Sequence, residues 1–195
     1  MNRRLITVGA AALVAIALAG CSTNEPLADQ YESGDGQGYI SGDGAITEIA
    51  VADRDEPVEF SGPATTGDTI SSDDYAGTPY VVNFWYAGCP PCRTEAPDLA
   101  DLSAEYSTVP FLGVNIYDGV DNAALFERTF GIDYPSIIDV NSASVQLAFA
   151  GSVAPNAVPT TLVVDAEGRV AARISGLLDP SILSTLIDTV LAEGE

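Results

Sequence analysis

The chain has 195 residues, with seven basic residues against 28 acidic ones and a formal net charge of −21. All seven cations are Arg and there is no His, which excludes a Ser/His/Asp triad, a Cys–His dyad and any His-ligated zinc or haem site. The acidity argues against nucleic acid and against charge-driven docking on anionic lipid, while 47% hydrophobic residues suit a globular chain of one domain.

Met1-Asn2-Arg3-Arg4 is a short cationic start to an apolar run from Leu5 to Ala19. The run falls short of the ~20 residues a membrane span needs and suits the core of an export signal. It ends in Leu18-Ala19-Gly20-Cys21, which resembles the bacterial lipobox, whose Cys becomes the lipid-modified first mature residue. Residues 1–20 are therefore predicted to be a lipoprotein signal peptide. The mature chain would be held by acyl chains on Cys21 at the extracytoplasmic face of the cell membrane. A plain signal peptide with a chance Cys, or an uncleaved anchor helix, is the alternative. Residues 21–45 are rich in Ser, Gly and Asp, with Gly34-Asp35-Gly36-Gln37-Gly38 among them, and cannot bury enough apolar surface to offset ordering. They read as a flexible acidic tether with ends roughly 25–30 Å apart, either a spacer or a leader with no spacing role. Residues 46–195 remain for the folded domain.

Three Cys in an exported chain leave one odd thiol; assigning Cys21 to lipid leaves Cys89 and Cys92 as a pair. The apolar, aromatic run Tyr80-Val81-Val82-Asn83-Phe84-Trp85-Tyr86 predicts a buried central strand. Pro90 and Pro91 then fit the first turn of a helix, where a missing N–H costs nothing. Cys89 is thereby placed at a helix mouth, where unpaired amides and the positive end of the macrodipole favour thiolate. A thiol at pKa ~8.5 is only about 3% ionised at pH 7, and one lowered to ~7 is half ionised. Cys92 lies one helical turn on, within reach to resolve a mixed disulfide. Cys92, Glu95, Leu99, Leu102 and Tyr106 are spaced as one helical stripe, with Thr94, Asp98, Asp101 and Glu105 on another face. Glu95, set in the apolar stripe, is either a desolvated proton acceptor for Cys92 or a side chain that escapes to solvent or to an Arg. Pro97 is expected to kink this helix.

Phe111 to Ile116 predicts a second buried strand, and Asp121 to Phe130, closed by Gly131, a helix. Pro135 to Val140 and Ser144 to Ala150 predict a further strand and a short helix. Thr161–Val164 and Arg169–Ile174 predict a hairpin. Asp179-Pro180 caps a last helix with a packing face of Ile182, Leu183, Leu186, Ile187, Val190 and Leu191. Strand–helix alternation ending in a hairpin and helix gives an α/β fold with a central mixed sheet flanked by helices.

Asn83-Phe84-Trp85, Cys89-Pro90-Pro91-Cys92-Arg93-Thr94-Glu95-Ala96-Pro97, Val158-Pro159-Thr160-Thr161 and Asp165-Ala166-Glu167-Gly168 together resemble the membrane-tethered thioredoxin-like proteins of the ResA/TlpA type. The lead-in Asp68-Thr69-Ile70-Ser71 and Ala76-Gly77-Thr78-Pro79 is similar too, so the likeness spans roughly residues 57–192. It implies a thioredoxin-like fold with the family's strand–helix insertion at 135–150. It also implies dithiol–disulfide exchange with Cys89 attacking, Cys92 resolving and Glu95 as the active-site acid. Pro159 would be cis, with the Val158 backbone pairing a substrate strand. Trp85 either packs under the site or contacts substrate. Gly88 stands where many relatives have a second Trp, so a more open rim is expected. Asn83 replaces the buried acid of ordinary thioredoxins.

The implied activity is that of a protein disulfide reductase, with a substrate oxidase as the alternative direction. Its partners would be a protein thiol or disulfide, apocytochrome c in cytochrome c maturation among them, and a membrane electron donor of the thiol–disulfide type. No cofactor, metal or nucleic acid is expected, and a monomer is. Two rivals fit less well. A peroxiredoxin-like thiol peroxidase needs Thr or Ser three residues before its Cys, and Tyr86-Ala87-Gly88-Cys89 lacks that hydroxyl. A copper-carrying assembly protein of the Sco type needs a C-x-x-x-C pair and a distal His, and the chain has neither.

Overall fold

A computed structural model describes residues 46–152 and 157–194. The predicted signal peptide, the lipidation site Cys21 and the tether lie outside the described residues. In chain order the strands are β1 (Ile46–Glu48), β2 (Ser61–Pro63), β3 (Thr69–Ser71), β4 (Tyr80–Trp85), β5 (Phe111–Asn115), β6 (Ser136–Ile138), β7 (Thr160–Val164) and β8 (Val170–Ser175). The helices are α1 (Pro90–Glu105), α2 (Val120–Phe130), α3 (Ser144–Ala148) and α4 (Pro180–Glu193).

Six strands form one sheet in the order β1-β8-β7-β4-β5-β6. β5 runs parallel to β4 and β6 parallel to β5, while β7 is antiparallel to β4 and β8, and β1 antiparallel to β8. The expected mixed sheet is therefore present, with the C-x-x-C strand β4 at its centre. β1 and the β2–β3 ribbon went unforeseen. Three-residue strands carry too little pattern to read, and Ser61-Gly62-Pro63 has no strand-forming residue. Ala64, just past the ribbon, bridges to Ile137 of β6.

The two-residue period of β4 decides what reaches the site. Tyr80, Val82 and Phe84 face one layer, packed with Phe60, Leu112, Val145, Phe149 and Leu162. Val81, Asn83 and Trp85 face α1. The face carrying Val81 is covered by Leu99 and Leu102 of α1 and by Leu183, Leu186, Ile187 and Val190 of α4. α4 begins where expected, its Ser181 N–H donating to Asp179 Oδ1 at 2.9 Å. α2 ends at Gly131, whose φ of 69° is the left-handed conformation that closes a helix at little steric cost. α1 runs on unbroken through Pro97, which is exposed.

Candidate active site

Pro90 and Pro91 open α1, and Cys89 is the residue at its cap, accepting the Cys92 N–H on Sγ at 3.2 Å. Cys89 and Cys92 are joined in a disulfide, with Cα atoms 5.3 Å apart. Around them pack Trp85, Ala96, Ala123, Phe126 and Ile138, with Tyr86 and Val158 at the edge. The Val158–Pro159 peptide bond is cis. Pro159 O accepts the Gly176 N–H at 2.8 Å, tying this loop to the turn after β8. Among the described residues the backbone of Val158 has no hydrogen-bond partner.

Glu95 is fully buried on the inward stripe of α1, one turn beyond Cys92. Its Oε1 accepts the Asn83 amide at 3.0 Å and its Oε2 accepts the Leu178 N–H at 3.2 Å. The second Asn83 amide bond goes to Thr161 Oγ1, also at 3.0 Å. Among the described residues no Arg pairs with Glu95, and its side chain does not reach solvent. Burial pushes the carboxyl up to about 7, against the two donors that favour its charged form. A carboxyl near neutrality suits a group that must both take and give a proton.

Trp85 is 3% exposed, its ring tilted on Phe126 with centroids 4.3 Å apart. It lies in the packing beneath the disulfide. Gly113 of β5 permits this, since a Cβ there would come within 2.8 Å of Trp85 Nε1 and collide with Ser136 Oγ.

Gly88, where the resemblance implies a more open rim, is exposed. Cys89 is only 2% exposed, and the Tyr86 ring stands 3.4 Å from where a Gly88 Cβ would be. Tyr117, from the loop after β5, stacks obliquely on Tyr86 at 5.4 Å. That loop is laced to the Cys89 loop. Asp118 Oδ2 accepts the Ala87 N–H at 2.6 Å and the Asn115 amide at 3.0 Å, while Asn115 Oδ1 accepts from Tyr117 N and Asp118 N. Sequence reading missed Asn115, Tyr117, Asp118 and the Leu178 amide. The spacing Asn115-Ile116-Tyr117-Asp118 is an Asx-turn signal for the loop, but nothing in it names Ala87 as the partner. Among the described residues no group of three or more His, Cys, Asp or Glu side chains could hold a metal.

Residues 54–173 match the AhpC/TSA family. The chain is 34% identical over 145 residues to the thiol:disulfide interchange protein HelX of Rhodobacter capsulatus, covering 73% of this chain and 75% of that one. It is 26% identical over 128 residues to the thiol-disulfide oxidoreductase ResA of Bacillus subtilis, covering 65% and 69%. Among solved structures it is similar to a DsbF homologue from Corynebacterium diphtheriae, with a TM-score of 0.68 at 30% identity over 78% of this chain and 98% of that one. A secreted thiol-disulfide isomerase from Corynebacterium glutamicum is similar as well, with a TM-score of 0.65 at 29% identity, covering 77% and 97%.

Proposed function

The chain belongs to the AhpC/TSA family, and from that premise we propose that it is a protein thiol–disulfide oxidoreductase whose redox pair is Cys89 and Cys92. The observation that carries the reading is their disulfide at the mouth of α1, packed against the edge of a cis-proline loop.

In the reduced protein the Cys89 thiolate, favoured by the helix N-terminus, attacks one sulfur of a partner disulfide. A mixed disulfide forms and the partner's second sulfur leaves as thiolate. Cys92 then gives its proton to Glu95 and attacks Cys89 Sγ. The partner departs with both cysteines reduced, and the protein is left with the Cys89–Cys92 disulfide. Two electrons have passed to the partner, and a thiol donor restores the pair. Val158 offers its backbone to an extended partner segment, Pro159 orders that loop, and Trp85 supports the disulfide from below without touching the partner.

The direction we assign is reduction. Lipobox-like residues before Cys21 support a lipid anchor at the extracytoplasmic face of the cell membrane, with a membrane thiol donor upstream. Within that setting, apocytochrome c in cytochrome c maturation is the partner the ResA/TlpA-type resemblance favours. A monomer suffices, since every group invoked comes from one chain. Insulin reduction by thiol-regenerated protein is the test: activity lost in Cys89→Ser, and a covalent partner retained at Cys89 in Cys92→Ser, are expected. An active Cys89→Ser would end the assignment, and a measured potential above about −150 mV would reverse the direction. Failure of Cys21→Ala to abolish palmitate labelling would remove the anchor.

A further inference from the structure

Among the described residues, three of the large exposed apolar side chains lie on segments tied to the site. Tyr117 is 72% exposed, Val120 46% and Leu177 54%. Leu177 lies in the turn that holds Pro159 O through Gly176 N and Glu95 through Leu178 N. Tyr117 is on the loop bonded to Ala87, and Val120 opens α2, whose Ala123 and Phe126 pack with the two cysteines. Exposed apolar side chains on the segments that frame a site are available to contact a partner.

Tyr117 is the best fixed of the three. Its own N–H and that of Asp118 are held by Asn115 Oδ1, the loop is pinned to Ala87 by the Asp118 carboxylate, and its ring rests on Tyr86. Tyr86 in turn accepts the Cys89 N–H on its carbonyl at 3.1 Å. An exposed aromatic ring ordered in advance loses little conformational freedom when a partner covers it. The adjoining carboxylate, Asp118, already accepts from Ala87 N and Asn115 Nδ2, so the shelf offers ring faces more than charge.

We propose that Tyr117, stacked on Tyr86, is a specificity-determining residue that receives an aromatic side chain neighbouring the partner's reactive cysteine. The proposal rests on the oxidoreductase reading and adds to it a preference among partner segments.

The test uses mixed disulfides of the peptides Gly-Gly-Cys-X-Gly with 5-thio-2-nitrobenzoate, X being Phe, Gly or Arg. The full chain is reduced beforehand and mixed in excess, so release of the coloured thiol reports attack by Cys89. A second-order rate constant about three- to tenfold larger for Phe than for Gly is expected, the scale of one aromatic pair. Tyr117→Phe should keep that ratio and Tyr117→Ala should bring it close to one. Because the ratio is read within each variant, a general loss of rate does not affect it. A ratio unchanged in Tyr117→Ala, no Phe preference in the wild type, or a preference for Arg that Tyr117→Ala removes would each overturn the proposal. Failure of the wild type to react with any of the three would instead overturn the oxidoreductase reading.

Discussion

Two buried carboxylates, at the two ends of the sheet's central strands, are treated in opposite ways. Asp165, in the turn between β7 and β8, is met by two guanidinium groups, Arg54 Nη1 at 3.0 Å and Arg169 Nη2 at 2.8 Å. It also accepts from Glu167 N and Arg169 N. Arg54 continues to Glu193 of α4 and to Ile49 O, so one buried side chain fastens the segment after β1, the hairpin turn and the last helix. Among the described residues Glu95 receives two neutral donors and no cation. Cationic partners make a carboxylate a fixed part of the frame, whereas neutral donors in a dry site leave its proton exchangeable. The difference separates a residue that builds the fold from one that can serve the sulfurs.

The comparison is broken most severely at Asp165. Asp165→Ala should cost about 3–5 kcal/mol, because it strands two guanidinium groups, one of them almost wholly buried. Urea unfolding reads this directly, and a loss under 1 kcal/mol would show the network to be ornamental.

Glu95 shows itself in the pH dependence of stability. Its folded value of about 7 lies above the ordinary 4.5, so between those values the folded protein binds more protons than the unfolded chain. The associated stability is complete below pH 4.5 and is lost as pH rises through about 7, by roughly 3 kcal/mol at most. Glu95→Gln should flatten that slope and slow resolution of the mixed disulfide about 100-fold near neutrality. An unchanged slope would mean that Glu95 is not the group titrating.

Asn83→Ala sharpens the contrast by removing one of the two donors that favour the charged form. The Glu95 carboxyl should then titrate higher, read by infrared or carbon-13 NMR on the oxidised protein, where no thiol interferes. A downward movement contradicts the geometry. The stability loss should be about 1–3 kcal/mol, the scale of a buried donor pair broken. The smallest effect belongs to Arg169→Gln. Its side chain is 23% exposed and Arg54 remains beside Asp165, so about 1 kcal/mol or less is expected.

Contiguous pattern carried most of the architecture. β4, α1, β5, α2, the hairpin and α4 stand within a residue or two of where periodicity and end signals put them, because each holds its own run of apolar positions and its own cap. Glu95 shows the limit. Its place on the apolar stripe of α1 was visible, yet solvent and burial were equally compatible with the stripe. The choice was made by Asn83 and Leu178, residues 12 before and 83 after it in the chain.

Local order alone thus fixed the two cysteines at a helix mouth, the strand leading into them and the acid one turn beyond, since neighbours in sequence set helix start, period and dipole. Folding in three dimensions supplied the rest: the dryness around Glu95, the pairing of Tyr86 with Tyr117, the grip of Asp118 on Ala87 and the Arg54 clamp. Each of these joins segments far apart in the chain, and a hydrogen bond or ring contact between distant segments leaves no periodic trace in either one.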